Sequence, residues 1–371
     1  MIYPERTFYL HSGRVILSKT EDKYPIESTE MRDISVDGKE HSEVRKSLDP
    51  HVIWKHSVPI YDKWLLTVST QKGCVHNCKF CDVADLPFKG NLSISEIMDQ
   101  IKMLVATTPE LFTNGTKKAK LGFARMGEPA HNLDNVLNII KYLKRDLQKL
   151  PQQEYLDIEN KLHPKSYPNG SCGRPDKLYD TKYHDIFENA CSWINWLPCF
   201  NSIIPRKTLQ GLSGEEVIYK VLETKEKYCD GFLHFQISSN STDEEKRKEL
   251  FGGADVLTLE EVINTVNKYP SIKKRTVTLN FIVMKDVPID VKYLMKLGLN
   301  PERFAVKLIP LNDTVNSKQN GLETQYNYNT YNELKKYAAQ FKDANIPVVY
   351  DAIAKCEESG LCCGQLAHIF A

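Results

Sequence analysis

The chain has 371 residues, and its 49 Lys and Arg against 48 Asp and Glu leave a formal net charge of +1. Such a balance excludes the overall basic excess of a protein held to nucleic acid or an anionic membrane by charge alone, though it leaves room for a local basic patch. With no bilayer-length apolar run and no charged stub followed by an apolar run within residues 1–30, a cytoplasmic, non-membrane protein is expected, with one large α/β domain or two smaller ones.

Residues 1–60 hold short strand-like pieces, RTFYLHSGRVIL and HVIWKHSVPI, around the charged stretch STEMRDISVDGKEHSEVRK. They read as a small β-rich N-terminal segment covering one end of the larger domain. WLLTVST (64–70) is an apolar strand that runs into CVHNCKFC, so Cys74, Cys78 and Cys81 fall inside eight residues.

In a reducing cytoplasm, ten cysteines are expected to bind metal, catalyse or sit buried rather than pair as disulfides. Cys191, Cys199 and Cys229 read as small buried hydrophobes. That reading fails at Cys74, Cys78 and Cys81, because Val75, His76, Asn77 and Lys79 between them are too polar for continuous burial. Three thiolates on one short loop can wrap a corner of a cube-shaped iron–sulfur cluster and leave one iron open for a small ligand. A structural zinc, the competing reading, wants a fourth Cys or His from a second matching pair. His76 is poorly spaced for that role.

Farther along, Ser93 and Glu96 form a capping box before Ile97, Ile101, Leu104 and Val105 at helical spacing. KLGFARM (120–126) is the second strand, followed by a helix carrying Val136, Ile140, Leu143 and Leu147. Between them lies RMGEPAHN, where Gly127 permits close approach of a ligand and Glu128 offers a carboxylate to an ammonium group. An ordinary strand-to-helix turn at Pro129 is the simpler alternative. Residues 149–195, rich in Tyr, Pro and polar side chains, read as an insertion, either a binding loop or a disordered one.

Alternation then resumes. A strand near 197–202 is followed by FLHFQIS (232–238), TVTLNFIVM (276–284), FAVKLIP (304–310) and IPVVYDA (346–352). Ser213/Glu216 and Thr258/Glu261 cap two of the intervening helices, and YNELKKYAAQF (331–341) is the last. About six rounds of alternation argue for parallel strands. With the cysteine loop directly after the first strand, a partial (β/α)6 TIM-like barrel is favoured over a doubly wound sheet, its active residues at the strand C-terminal ends. SSNSTDEEKRKEL (238–250) puts hydroxyls and an amide at one such end, with Ser241 or Thr242 as a helix cap. KLIPLN puts Asn312 past another. The expected division is 1–60, a barrel over 61–352 containing the insertion, and a cysteine-bearing tail over 353–371.

CVHNCKFC, with an aromatic before its last cysteine, resembles the radical SAM superfamily. With MGEP-x-x-N, SSNSTDEE, LIPLN and CGQLA (363–367), the pieces from about 64 to 368 are similar to the RlmN/Cfr methyl synthases. The resemblance implies a [4Fe-4S] cluster on Cys74, Cys78 and Cys81, with S-adenosylmethionine on the open iron. It implies that Glu128, beside Gly127, holds the methionine amino group, while Ser238, Ser239, Asn240 and Asn312, with Ser202 a further candidate, bind the rest. Cys363 would carry the methyl group to an RNA adenosine, ribosomal or transfer, with an electron donor such as flavodoxin or ferredoxin. The family's second reactive cysteine has Thr67 in its place here, and a hydroxyl cannot serve as a thiolate at neutral pH. Cys362 and Cys356 on the tail are the candidate substitutes. The competing functions are different radical chemistry on a nucleotide or other small molecule, and a non-catalytic iron–sulfur or zinc protein.

Overall fold

The computed structural model describes residues 1–10, 13–32, 63–108, 111–112, 115–144, 187, 194–324, 332–350, 364 and 366–367. HVIWKHSVPI, Leu147, Cys191, nearly all of the 149–195 stretch, and Cys356, Cys362 and Cys363 lie outside them.

Ten strands form one sheet. Its parallel part takes strands in chain order: β4 (Trp64–Val68), β7 (Ala119–Phe123), β8 (Trp196–Ser202), β9 (His234–Ser238), β10 (Val277–Val283), β11 (Phe304–Pro310) and the three-residue β12 (Val348–Tyr350). The two-residue strands β5 (Gln71–Lys72) and β6 (Gly90–Asn91) pair as a separate ribbon. This is the expected parallel α/β architecture, six strands of five to seven residues with a short seventh. Alternation within a strand sets its two faces. In β11, Phe304, Val306, Leu308 and Pro310 are buried while the residues between are only half-buried. Phe123, Phe200, Phe235, Leu279 and Phe281 supply the outward side chains that the surrounding helices cover.

Those helices start where the sequence says. Ser93, Ser213 and Thr258 make complete capping boxes for α1 (Ile94–Ala106), α3 (Gly214–Tyr228) and α5 (Leu259–Lys268). Between α1 and α3 runs α2 (Leu133–Leu143). At α4 (Glu244–Leu250) the cap is Asp243, which accepts the Lys246 N–H, rather than Ser241 or Thr242. Ser241 instead accepts the Asp243 N–H, one step earlier in the turn. The remaining α-helices among the described residues are α6 (Val291–Lys296), α7 (Val315–Gln319) and α8 (Asn332–Asp343). No helix among the described residues is long and apolar enough to cross a membrane.

The N-terminal segment is β-rich, as expected, but its placement differs from the expected cover over one end of the barrel. β1 (Ile2–Leu10), β2 (Gly13–Thr20) and β3 (Pro25–Arg32) pair antiparallel, and β3 pairs edge-on with β4, so this segment extends the sheet sideways. PIESTEMR hides as a strand because two of its buried side chains are carboxylates. Glu30 is fully buried against Arg14 at 2.7 Å, and Glu27 against Arg125 at 2.7 Å. Buried charges persist only when paired, and here both partners arrive from elsewhere in the chain.

Candidate active site

At the C-terminal ends of the parallel strands lies a cavity of about 260 Å³. Cys74, Cys78 and Cys81 line it together with Gly127, Glu128, Ser238, Asn240 and Asn312. Two expected residues stand behind this wall. Ser239 is fully buried, its hydroxyl donating to the Ile237 carbonyl. Ser202 bonds the Glu128 carboxylate and accepts the Ile204 N–H at 2.9 Å. Ser202 therefore meets the cavity wall through Glu128.

The cysteine loop is braced from both sides. Thr314 Oγ1 donates to the Phe80 carbonyl, and Asn316 Nδ2 to that of Cys81. The Asp82 carboxylate accepts the N–H groups of Val315 and Asn316, orphan donors at the start of α7. Across the loop, Gly252 has φ +66° and a Cβ there would stand 2.1 Å from the Asn77 carbonyl oxygen, so only glycine admits this approach.

The MGEP segment is held with equal care. Gly127 has φ +92°, and a Cβ would overlap Gln71. Gln71 accepts the Glu128 N–H at 2.9 Å and donates to Asn91 at 2.7 Å. Asn132 donates to the carbonyls of Thr70 and Leu92, tying the motif to the loop after β4. Glu128 accepts the N–H groups of Ala130 and Ile203. Burial pushes its carboxyl up to about 7 against the lowering effect of these bonds. Just beyond, Ile204 holds φ +56°, an uncommon conformation for a β-branched residue, immediately behind the ligand wall.

Burial pushes the Cys74 thiol up to about 11, and burial with the neighbouring Cys81 and Cys74 raises Cys78 well above the ordinary value. Three thiolates would not share this wall without compensating positive charge. Among the described residues no group of three or more His, Cys, Asp or Glu is arranged to hold a metal ion; three thiols on one cavity wall are nonetheless the donor set that an iron–sulfur cluster takes. The amide Nδ2 of Asn240 and Oδ1 of Asn280 are buried without hydrogen-bond partners, and both residues line the cavity. Buried polar groups are nearly always satisfied, so these two mark where a polar ligand belongs. Cluster and S-adenosylmethionine both fit the residues present.

Two features escaped the sequence. His76 and His131 stack at 4.9 Å, their Nε2 atoms 2.9 Å apart. His131 Nδ1 accepts the Leu209 N–H, so in the neutral ring Nε2 carries the proton and donates to His76. Burial holds both rings near 4, hence neutral. Separately, Glu27 accepts the N–H groups of Gly364 and Ala367 while pairing with Arg125, which lines the cavity. Gly364 has φ +83°, and a Cβ would stand 2.5 Å from the Val83 side chain, two residues past Cys81. Motif spacing does not reach pairings this remote. Thr67 sits mid-strand, its hydroxyl bonded to that of Thr29 and its methyl facing Gly122.

No protein-family model matches the chain. It is 25% identical over 275 residues to a protein of Aquifex aeolicus (strain VF5) named as a probable dual-specificity RNA methyltransferase RlmN, covering 73% of this chain and 62% of that one. To the like-named protein of Leptospira interrogans serogroup Icterohaemorrhagiae serovar Lai it is 24% identical over 286 residues, covering 76% and 61%. The chain thus spans about three-fifths of the length of these curated relatives. In structure it matches a radical SAM methyltransferase from Sphaerobacter thermophilus with a TM-score of 0.61 at 16% identity, over 98% of this chain and 80% of that one. The chain carries the fold of a radical SAM methyltransferase and is similar in sequence, over about three quarters of its length, to the RNA methyltransferases named RlmN.

Proposed function

We propose that the chain is a radical SAM methyltransferase of the RlmN/Cfr kind, acting on an adenosine of ribosomal or transfer RNA with electrons from a flavodoxin- or ferredoxin-type donor. One observation carries the reading: three cysteines, a buried carboxylate and an unpartnered amide share one cavity wall at the strand C-terminal ends. Cys74, Cys78 and Cys81 would hold a [4Fe-4S] cluster. Glu128, beside Gly127, would pair with the amino group of S-adenosylmethionine, and Ser238, Asn240 and Asn312 would meet the remainder. When bound, the cluster and cofactor supply radical chemistry through one-electron cleavage of the sulfonium.

The protein's own part is to bind and orient. Glu128, neutralised in part by burial, gains a full charge when an ammonium group arrives, so its affinity is kept for that partner. Cys363 is assigned as the methyl carrier. Supporting this, its chain neighbour Gly364 is docked by Glu27 against Val83, beside the cavity. Position 67 supplies no thiolate, since it is a threonine, and its hydroxyl is bonded to that of Thr29. Release of the product from Cys363 is therefore assigned to Cys362 or Cys356.

The absence of a cysteine at position 67 favours a second reading, a different radical reaction on a nucleotide or other small molecule using the same barrel. Mass spectrometry of Cys363, together with iron and sulfide analysis, tests both. A thiomethyl group on Cys363 in the purified protein is expected; a cluster-loaded protein with an unmodified Cys363 that still cleaves S-adenosylmethionine selects the second reading.

A further inference from the structure

The opposite, N-terminal mouth of the barrel holds a second cavity, of about 520 Å³, that shares no lining residue with the first. Inside the barrel, Asn280 donates to Gln236, and Gln236 donates to Cys199. This polar layer stands between the two cavities. Lys63, Lys118, Lys120, Lys274, Arg275 and Lys307 all line the lower one, and no Asp or Glu is among its described lining residues.

The placement follows from strand geometry. Lys63, Lys118 and Arg275 lie at or just before the starts of β4, β7 and β10. Lys120 and Lys307 occupy half-buried positions between fully buried outward neighbours, Ala119 and Leu121 in β7 and Val306 and Leu308 in β11. Cations from four strands therefore converge in a chain whose total charge is only +1. Like charges gathered in a concave, half-buried space repel and draw in an anion.

One further observation points to a ligand. The Arg275 Nε is buried with no hydrogen-bond partner, a donor without an acceptor on the cavity wall. His234, bonded to Thr278 across the cavity floor, is held down to about 3 by burial first, then by the charges of Lys120, Arg275, Lys307 and Lys63. Lys63, Lys120 and Lys307 already have partners in the chain. They set the potential, and Arg275 is the direct donor.

We infer that this lower cavity is a binding site for phosphate oxyanions of nucleotide size, separate from the cluster site. Its volume falls in the range of small-molecule pockets, and Arg with Lys is the donor set that phosphate recognition uses. Phosphate reaches it from one of two sources, a free nucleotide or the backbone of an RNA. The site does not depend on which radical reaction the upper cavity performs.

The test is calorimetric titration of the full-length, cluster-loaded protein with inorganic pyrophosphate, with ATP and with a short single-stranded RNA at two salt concentrations. Arg275→Gln and the pair Lys120→Gln/Lys307→Gln are compared with wild type, with circular dichroism melts to verify folding. Pyrophosphate or ATP binding that falls about tenfold or more in both variants, with S-adenosylmethionine binding unchanged, identifies a free-nucleotide site. Loss confined to RNA, with a shallower dependence on salt, identifies an RNA backbone contact and equally supports the site. If no probe binds wild type, or if the folded variants bind every probe as wild type does, the inference is overturned.

Discussion

Glu27 accepts the backbone N–H of Gly364 at 3.0 Å, a contact spanning 337 residues of sequence, and that of Ala367 at 2.7 Å. One fully buried carboxylate on an N-terminal strand thus joins the end of the chain to Arg125 beside the cavity. Removing either partner of a buried pair typically costs about 3–5 kcal/mol, so Glu27→Ala is expected to disrupt the whole corner. Gly364→Ala is the gentler probe, because it spares the ion pair and places a Cβ into Val83. Hydrogen exchange at the Ala367 amide should rise about tenfold or more, in line with strain of about 1–3 kcal/mol, while the melting temperature of the barrel holds. Unchanged exchange at Ala367 would show that Glu27 does not secure the tail.

Replacing any one of Cys74, Cys78 or Cys81 by Ala should abolish iron binding and with it reductive cleavage of S-adenosylmethionine. The loop is braced by Asp82, Asn316 and Thr314, none of which needs the metal, so the apoprotein should keep its fold. Iron and sulfide analysis decides the matter; a variant retaining a complete four-iron cluster would remove that cysteine from the set.

Glu128→Gln tests the carboxylate. Cofactor binding should weaken by about 1.5–3 kcal/mol, the range for a hydrogen bond to a charged group. The cluster should still assemble, because the thiols stand on a separate loop. Since Glu128 also accepts from Ala130 and Ile203, a small loss of thermal stability should accompany it. Equal cofactor affinity in the two proteins would reduce Glu128 to a turn-former.

Cys356→Ala and Cys362→Ala, made separately and incubated with substrate, ask which thiol replaces the one absent at Thr67. One variant should accumulate a covalent adduct through Cys363 while still producing 5′-deoxyadenosine. Normal turnover by both, together with full activity of Cys363→Ala, would exclude methyl transfer through the tail.

Acid stability should carry a signature of Glu261. Its hydrogen bond to Arg206 is the largest of the influences holding its carboxyl down to about 2, from an ordinary 4.5. A depressed carboxyl stabilises the fold above the ordinary value and loses that contribution as pH falls from 4.5 toward 2. Glu261→Gln should therefore flatten the pH dependence of the melting temperature across that window. Parallel curves for variant and wild type would show that the pair contributes nothing measurable.

The sequence by itself determined the parallel strands, the three capping boxes and the cysteine loop, because each is encoded within a few neighbouring residues. FAVKLIP alternates since one face meets helices and the other the barrel interior. Ser93, Ser213 and Thr258 each carry a Glu three residues on. Only the tertiary structure decided what pairing across hundreds of residues brings together. PIESTEMR is a strand because Arg14 and Arg125 neutralise its buried glutamates. His131 meets His76 because α2 begins beside the cysteine loop. The lysines at the lower mouth converge because β4, β7, β10 and β11 share one sheet. A charged residue read in its own neighbourhood looks solvated; its partner, and so its burial, is fixed only when distant strands register.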